Sequence, residues 1–338
     1  MLISLIATFY LLLATCLRQS VAFVPQLCRS LIRQPNVQLH ENPVRFAGTG
    51  ARTADMNQYN LPLDVIEEQW KASVIPKTIE SDGGIFLGVK DDVNLFVDVI
   101  QVVVPRPTDC GLGIELQEVA GGRGDGLGIT LVSGVVKDGW ISKHCTDGDI
   151  QLGDSITSLS VVQRRGRPGS SGILSDTEET IKAQTECLGY DATVDAIMNL
   201  PQPLNQDEKI IIGLKRLRRK PKIKVNLRYP PSQNEPDAAI ELFAGENLRL
   251  GMLARGVKLN DPLAQRFDTK SSGNCGAGGL CRTCAVGVLR GGNLLSPQKV
   301  AESQMLEDEP RWRLACKSFV GYGMEEGAIT VQVNPRQW

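Results

Sequence analysis

The chain has 338 residues, of which 42% are hydrophobic and 22% are charged, and its formal net charge is −1. This length and composition predict two compact domains with additional extensions. The near-zero net charge gives no global attraction to nucleic acid or to an anionic membrane. Aromatic residues make up only 5% of the chain, which argues against a stacking platform for single-stranded nucleic acid. We therefore expect no nucleic-acid partner.

The first part of the chain has the composition of a targeting sequence. Residues 1–22 contain an apolar run of signal-peptide length, which is too short to predict a membrane span. Residues 23–56 are rich in Arg, Ser and Thr and poor in acids, as transit peptides are. The junction Ala22-Phe23 resembles the two-part plastid address of algae with secondary plastids. We expect a signal peptide over 1–22, a transit peptide over 23–56 and no retained transmembrane segment; a plain secretory signal is the alternative.

The middle of the chain changes character at residue 93. Residues 57–92 mix Pro, Gly and charged residues without sustained periodicity, and we interpret them as an extension. From residue 93 onward, short β-rich runs alternate with glycines, which predicts a strand-dominated domain over 93–220. The runs are FVDVIQVVV, GLGIEL and GITLVSGVV.

Helical signals occur later in the same domain. The capping-box spacing from Ser175 to Glu178 predicts a helix over 176–188. A second short helix is expected to begin near Asp191. The run KIIIGLKRL, which begins at Lys209, predicts a closing strand that is buried on at least one face.

A basic run, KRLRRKPKIK, lies between the two predicted domains. Residues 215–224 contain seven basic side chains and no acid. The simpler interpretation is a solvated linker. The alternative is a docking surface for an acidic partner or for anionic lipid headgroups.

The last segment, 221–338, begins with an amphipathic strand in which apolar and polar residues alternate from Lys222 to Tyr229. The strand AAIELFAG follows, then a helix from Asn247 to about Arg255 with one apolar side. Further predicted elements are a strand at AVGVLRG, a helix beginning at Ser296 and a final strand at AITVQVN. This order is that of a β-grasp fold.

Four cysteines of this segment carry the strongest chemical signal. Three of them have the spacing C-x5-C-x2-C within SSGNCGAGGLCRTC, and the fourth lies farther along the chain. Each iron of a [2Fe-2S] cluster takes two soft thiolate ligands, so three from one loop and one from a distant loop complete the coordination. The candidate ligands are Cys275, Cys281, Cys284 and Cys316. Glycines between them allow positive φ and a close approach of backbone N–H groups to the cluster. These glycines are Gly276, Gly278 and Gly279.

Zinc is the main alternative for these four thiols. Zinc ribbons and knuckles usually present two short C-x2-C pairs, and only one such pair occurs here. Outside the leader, the other cysteines are scattered at Cys110, Cys145 and Cys187, which does not resemble a secreted disulfide framework. The pattern favours a reducing compartment with thiols available for metal.

On these residues, the segment 221–338 resembles a plant-type or adrenodoxin-like ferredoxin domain. The first two ligands are separated by five residues, as in the adrenodoxin type, but the gap before the fourth ligand is shorter. Together with RWRLACKSFVG around Cys316, this combination is similar to the ferredoxin-like subunit of the chloroplast NADH dehydrogenase-like complex and its relatives. The resemblance implies a [2Fe-2S] cluster in an accessory or complex-bound protein rather than in a freely diffusing carrier.

Acidic residues cluster near the fourth-ligand loop and farther along the chain. One interpretation is a solvated helix face. The other is a surface that steers a basic redox partner toward the cluster, as in ferredoxins. The acids are Glu302, Glu307, Asp308, Glu309, Glu325 and Glu326.

The domain over 93–220 resembles a PDZ module. Its loop Gly111-Leu112-Gly113-Ile114 matches the carboxylate-binding loop, and the run LGDSI at 152–156 matches the L-x-G-D-x-I strand entry. Backbone N–H groups of such a loop can hold a C-terminal carboxylate, while the next strand offers an edge for β-augmentation. The alternative is the same fold without peptide binding.

Together these features predict an α+β and mostly β protein, in which a PDZ-like β-barrel or sandwich precedes a β-grasp [2Fe-2S] ferredoxin domain. We expect a plastid protein of the stroma or thylakoid surface that passes single electrons at a potential of about −400 mV. The expected partners are a reductase, a photosystem or an NADH dehydrogenase-like complex, and the C-terminal peptide of a plastid membrane protein. The alternative is an assembly or scaffold factor with a structural or redox-sensing cluster. No flavin or NAD motif is present in the sequence, so we expect an electron carrier or accessory subunit rather than a self-contained enzyme.

Overall fold

The computed structural model describes residues 51–75, 84–108, 110–119, 127–168, 174–204, 208–259 and 275–338. These residues form two compact units that alternate along the chain. The first unit comprises the described residues of 61–91 and 97–217, and the second those of 51–60, 92–96 and 218–338. The predicted signal peptide and residues 23–50 of the predicted transit peptide lie outside the described residues.

The first unit is built mainly of strands. Its elements are α1 (Leu63–Gln69), β1 (Trp70–Ile75), β2 (Gly84–Val89), β3 (Leu95–Pro105), β4 (Ile114–Glu118), β5 (Thr130–Val135), α2 (Trp140–His144), β6 (Ser155–Pro168), β7 (Leu174–Gln184), α3 (Tyr190–Met198) and β8 (Lys209–Arg219). The short helix expected near Asp191 and the closing strand from Lys209 are confirmed as α3 and β8.

A four-stranded sheet of order β3-β8-β6-β7 and a two-stranded sheet, β4-β5, enclose the core of this unit. Alternate residues of β6 and β8 are fully buried between them, including Leu159, Val161, Ile212 and Leu214. This burial accounts for the apolar runs of the sequence. At about 25 cal/mol per Å² of apolar surface, such a core is the main stabilising contribution of the unit.

The helix predicted over 176–188 is wrong. Residues Leu174–Gln184 form β7, which pairs antiparallel with β6 from Pro168↔Leu174 to Ser158↔Gln184. A capping box contributes only about 1 kcal/mol, whereas strand pairing satisfies the backbone groups of the whole segment. The nonlocal pairing therefore decides the structure.

The solvated linker predicted over residues 215–224 is also wrong. The run is divided between β8 and β9, and the side chains of Arg216 and Arg218 are only 4% and 3% exposed. Arg216 forms a bidentate ion pair with Asp154, with Nε–Oδ1 and Nη2–Oδ2 distances of 2.7 Å. Its guanidinium also donates to the carbonyls of Gly148 and Asp149. The basic residues therefore include structural ones.

The predicted extension 57–92 contains regular structure. After α1, strands β1 and β2 form an antiparallel hairpin with the register Trp70↔Val89 to Ile75↔Gly84. Trp70 is 2% exposed, and its Nε1 donates to the carbonyl of Gly153. The hairpin is therefore an integral part of the first unit.

The second unit has the elements β9 (Lys222–Arg228), β10 (Ala238–Phe243), α4 (Leu248–Ala254), β11 (Ala285–Arg290), α5 (Val300–Met305), β12 (Trp312–Leu314) and β13 (Gly327–Val333). They confirm the predicted strands and the helix from Asn247. The helix expected from Ser296 begins a few residues later, and β12 was not predicted.

The sheet of this unit has the order β10-β9-β13-β11-β12. Its central strands β9 and β13 are parallel, and the other neighbours are antiparallel. Helix α4 packs its buried residues Leu248 and Met252 into the core beside the sheet. This mostly β unit is the C-terminal β-grasp fold expected from the order of its elements.

Residues 51–60 add a short segment to the second unit. Thr53 and Ala54 donate their backbone N–H groups to the carbonyl of Gly323, and the Tyr59 hydroxyl donates to the carbonyl of Met324.

Among the residues described above, no helix combines the length and the apolar character that a membrane span requires.

Candidate metal centre

The first two cysteines of the motif bracket a turn of left-handed backbone. The φ angles are +60° at Gly276, +71° at Ala277 and +81° at Gly279. Glycine adopts this region without steric cost, so the turn accounts for two of the three predicted glycines. Gly278 does not have a positive φ; its N–H donates to the carbonyl of Cys275.

This turn directs donor groups at the sulfur atoms. The N–H of Leu280 donates to Cys275 Sγ at 3.4 Å, and the N–H of Cys275 donates to Cys281 Sγ at 3.4 Å. The Thr283 hydroxyl lies 3.0 Å from Cys281 Sγ. The Leu280 N–H stabilises the thiolate of Cys275 over its thiol.

Strand pairing brings the other two cysteines together. Cys284 immediately precedes β11 and Cys316 follows β12, and these strands pair with Ala285 opposite Leu314. The N–H of Ala315 donates to the carbonyl of Cys284 at 3.0 Å. From the start of α4, Asn247 Nδ2 donates to the carbonyl of Cys316 at 3.0 Å.

Burial and hydrogen bonding shift the pKa of three of the four thiols: Cys275, Cys284 and Cys316. Cys281, Cys284 and Cys316 are 2%, 3% and 7% exposed, and Cys275 is half-buried. Burial acts to raise the pKa of Cys275, but hydrogen bonds from Leu280 and Cys281 outweigh it and lower the pKa to about 7. The hydrogen bond from Cys316 lowers the pKa of Cys284 to about 7, and the same bond raises the pKa of Cys316.

The four thiols thus form two neighbouring pairs, Cys275 with Cys281 and Cys284 with Cys316. This arrangement fits a [2Fe-2S] cluster, because each iron takes two thiolates. The sequence, in turn, contains only one of the two short C-x2-C pairs that zinc ribbons usually present.

Three residues that the sequence reasoning missed surround these thiols. Arg249 on α4 lowers the pKa of Cys284, as a smaller cause beside the hydrogen bond from Cys316. Lys317 adjoins Cys316, and its side chain covers Gly279, where a Cβ would lie 2.5 Å from Lys317 Cε. Leu280 is 63% exposed on the cysteine loop. Lys317 could have been noted from its position next to a ligand, whereas nothing local in the sequence indicates Arg249.

Three of the six predicted docking acids have structural roles. Glu302 is 3% exposed and bonds Arg313 Nε at 3.0 Å and the N–H of Leu314 at 2.7 Å, so it is not a surface residue. Glu325 accepts a hydrogen bond from the Thr53 hydroxyl, and Glu326 pairs with Arg219. The other three predicted acids are exposed; they are Glu307, Asp308 and Glu309.

Comparison with known families decides the cofactor. Residues 259–321, which include all four cysteines, match the family Fer2, described as a 2Fe-2S iron-sulfur cluster binding domain. The C-terminal part of this chain is a [2Fe-2S] domain. Its predicted cofactor is confirmed, and the assignment of Cys275, Cys281, Cys284 and Cys316 as its ligands stays a prediction.

One curated relative of the [2Fe-2S] protein is the photosynthetic NDH subunit of subcomplex B 3, chloroplastic, from Arabidopsis thaliana. The two sequences are 35% identical over 95 residues, which is 28% of this chain and 44% of the relative. This chain thus spans less than half the length of that relative. A weaker likeness, with a TM-score of 0.25 and 21% identity, is to the crystal structure of the ISC-like [2Fe-2S] ferredoxin from Pseudomonas putida JCM 20004. It covers 32% of this chain and 90% of that one.

The loop predicted to bind a peptide lies in the first unit, apart from the four cysteines in the chain. Gly111 is exposed and Leu112 packs against the core. Gly113 has φ +75°, and a Cβ there would lie 3.2 Å from the Cα of Gly139. The carbonyls of Leu112 and Gly113 accept hydrogen bonds from Ile141 and Val136. The fourth residue of the loop, Ile114, begins β4.

Proposed function

We propose that the protein is a plastid iron-sulfur protein that passes single electrons as an accessory redox subunit. The observation that carries this proposal is the assembly of four thiols into two largely buried pairs within a Fer2 domain. When bound, a [2Fe-2S] cluster supplies one-electron oxidation and reduction. The backbone N–H groups of Leu280 and Cys275 donate to the sulfurs of Cys275 and Cys281, and the Thr283 hydroxyl lies 3.0 Å from Cys281 Sγ. Burial of three thiols limits the access of water.

The complex that the protein serves is inferred from its relative. The Arabidopsis protein is named as a chloroplastic subunit of a photosynthetic NDH subcomplex. We infer that this chain also associates with a complex of that kind, in the stroma or at the thylakoid surface. The transit-peptide composition of residues 23–56 supports the plastid location.

The first unit is proposed to dock the protein through a C-terminal peptide, as a PDZ-like module would. The N–H groups of Leu112 and Gly113 donate to no acceptor among the described residues, so they are available to a carboxylate. Strand β4 pairs with β5 on one side, and no other described strand pairs with it. An added peptide strand could therefore occupy its other edge. The helix predicted over 176–188, one of the signs of the PDZ resemblance, does not support the proposal.

The cluster and its ligands are tested by spectroscopy. We expect anaerobically purified protein to contain equal amounts of iron and acid-labile sulfide and to give a rhombic S = 1/2 EPR signal after reduction with dithionite. Cys281→Ser should abolish or greatly weaken this signal, because a hydroxyl is a poor substitute for a soft thiolate. Cys187→Ser, in the first unit, is the matched control and should leave the signal unchanged. A colourless protein that contains zinc would contradict the proposal.

The second candidate function is an assembly or scaffold factor in which the cluster is structural or redox-sensing. The observation that favours it is the pair of N–H groups of Leu112 and Gly113 that have no acceptor among the described residues. A peptide could bind to them whether or not the cluster transfers electrons. Stopped-flow reduction by a ferredoxin reductase or by photosystem I separates the two candidates. Reversible one-electron cycling supports the accessory redox subunit, whereas a cluster that resists cycling supports the scaffold.

A further inference from the structure

A basic cavity lies beside the end of β11 in the [2Fe-2S] unit. Its volume is about 370 Å³, and three of its lining residues are arginines: Arg290, Arg311 and Arg313. Among the described residues that line it, none is acidic. Gly291 and Gly292 form part of its wall. A cavity of this size lies within the usual range for small-molecule sites.

Arg313 is a fixed component of the cavity wall. It is 8% exposed, its Nε bonds Glu302 Oε1 at 3.0 Å, and its Nη2 bonds the carbonyl of Ser296 at 2.7 Å. Its Nη1 donates to no acceptor among the described residues. Because the ion pair with Glu302 is neutral overall, Arg313 contributes a preorganised donor rather than net charge.

Arg290 and Arg311 supply the net charge. Both are exposed, and neither side chain forms an ion pair or hydrogen bond within the described part of the chain. A β-bulge between Val288 and Arg290 interrupts the pairing of β11 with β13. Bulges redirect side chains, and here both Leu289 and Arg290 line the same cavity. Two arginines whose side chains have no ion pair or hydrogen bond in the described part of the chain thus line one concave surface.

We infer that this cavity binds a ligand with a phosphate monoester group. Guanidinium groups bind phosphate through paired N–H donors, which a single lysine cannot reproduce. A phosphate monoester has a charge of about −1.5 to −2 at neutral pH, which matches the two uncompensated arginines. The volume accommodates a small organic group attached to the phosphate. A free phosphorylated metabolite and a lipid headgroup share this chemistry.

The cavity is separate from the cluster. Strand β11 begins next to Cys284, whereas the part of it that lines the cavity is Val288, Leu289 and Arg290, and none of the four thiols is among the lining residues. The ligand therefore does not need to contact the thiols. Its binding can be measured whether or not the cluster transfers electrons.

The inference is tested by titration calorimetry of the purified protein with glycerol 3-phosphate and with inorganic phosphate. Flotation with phosphatidylcholine vesicles, with and without phosphatidic acid, tests the lipid source. Arg290→Gln and Arg311→Gln should each weaken binding at least about tenfold, because each removes a charged hydrogen-bonding group. Lys224→Gln removes an exposed cation from β9 and should leave binding within about twofold of the wild type.

Two results support the inference, and two overturn it. Binding of the soluble ester that is lost in the arginine variants indicates a metabolite. Flotation that depends on phosphatidic acid and on the same arginines indicates a lipid headgroup. No binding to any of the probes, or equal binding by the R290Q/R311Q double variant, overturns the site. An unchanged cluster absorption spectrum shows that the variants are folded, and Arg311→Lys should retain part of the affinity because it keeps the charge.

Discussion

At the scale of single residues, the cluster site combines acceptor sulfurs with nearby positive charge. The hydrogen bond from Cys316 is the largest cause that lowers the pKa of Cys284, and the guanidinium of Arg249 adds to it. Lys317 also acts to lower the pKa of Cys316, although the hydrogen bond from Cys284 and burial raise it overall. A cation that favours a thiolate also favours the more negative, reduced state of a cluster bound there.

We therefore predict that Arg249→Gln lowers the reduction potential. One charge near a partly buried site contributes about 0.5–1.5 kcal/mol, which corresponds to roughly 20–60 mV for one electron. The measurement is an EPR-monitored redox titration. Arg255→Gln, directly after the end of α4, is the control, because Arg255 pairs with Glu246 and its loss should change the potential little. An unchanged potential in Arg249→Gln would show that its charge is screened from the cluster.

At the scale of elements, the spacing of the cysteines predicted four candidate ligands, but the way these cysteines pair in space depends on contacts that local patterns do not encode. Cys284 and Cys316 meet because Ala285 lies opposite Leu314 across β11 and β12. The short strand β12 has no clear periodicity, so this register could not be predicted. The amphipathic alternation of β9 and the apolar face of α4 were predicted correctly, because one face of each is buried.

The basic run of β8 illustrates the same limit. In a sequence, a cluster of arginines indicates a solvated segment unless a buried partner is known. The partner of Arg216 is Asp154, which lies 62 positions earlier, so a local pattern does not reveal the pair. Asp154 is 0% exposed and also accepts a hydrogen bond from the N–H of Gln151. Asp154 belongs to the LGDSI run that suggested a PDZ module. Because its carboxylate bonds Arg216 on β8 and the N–H of Gln151, this part of the motif has a structural role.

We predict that Arg216→Met destabilises the first unit by about 3–5 kcal/mol, because it leaves the Asp154 carboxylate buried without its charged partner. Urea unfolding followed by circular dichroism measures the change. The matched control is Arg228→Met, which breaks the exposed pair with Asp237 and should cost no more than about 1 kcal/mol. Similar losses in both variants would indicate that the Arg216–Asp154 pair contributes no more than a surface pair.

At the scale of the whole molecule, the chain passes between its two units several times. The sequence predicted consecutive domains at 93–220 and 221–338, since composition changes near those positions. In the structure, residues 51–60 and 92–96 belong with 218–338. A local pattern cannot show this, because Thr53 and Gly323 lie far apart in the chain and meet only through backbone hydrogen bonds. A transit peptide that ended at residue 56 would remove Thr53, Ala54 and Met56 from the second unit.

We therefore predict that a variant beginning at residue 57 is less stable than one beginning at residue 51. The shorter variant loses two hydrogen bonds to Gly323 and the packing of Met56 on the core, which together contribute about 1–3 kcal/mol. Thermal bleaching of the cluster absorption reports the second unit and should occur at a lower temperature in the shorter variant. Tyr59→Phe, which loses the bond to Met324 but keeps the buried ring, should lower this temperature by a smaller amount. Equal bleaching temperatures for the two variants would show that residues 51–56 do not stabilise the second unit.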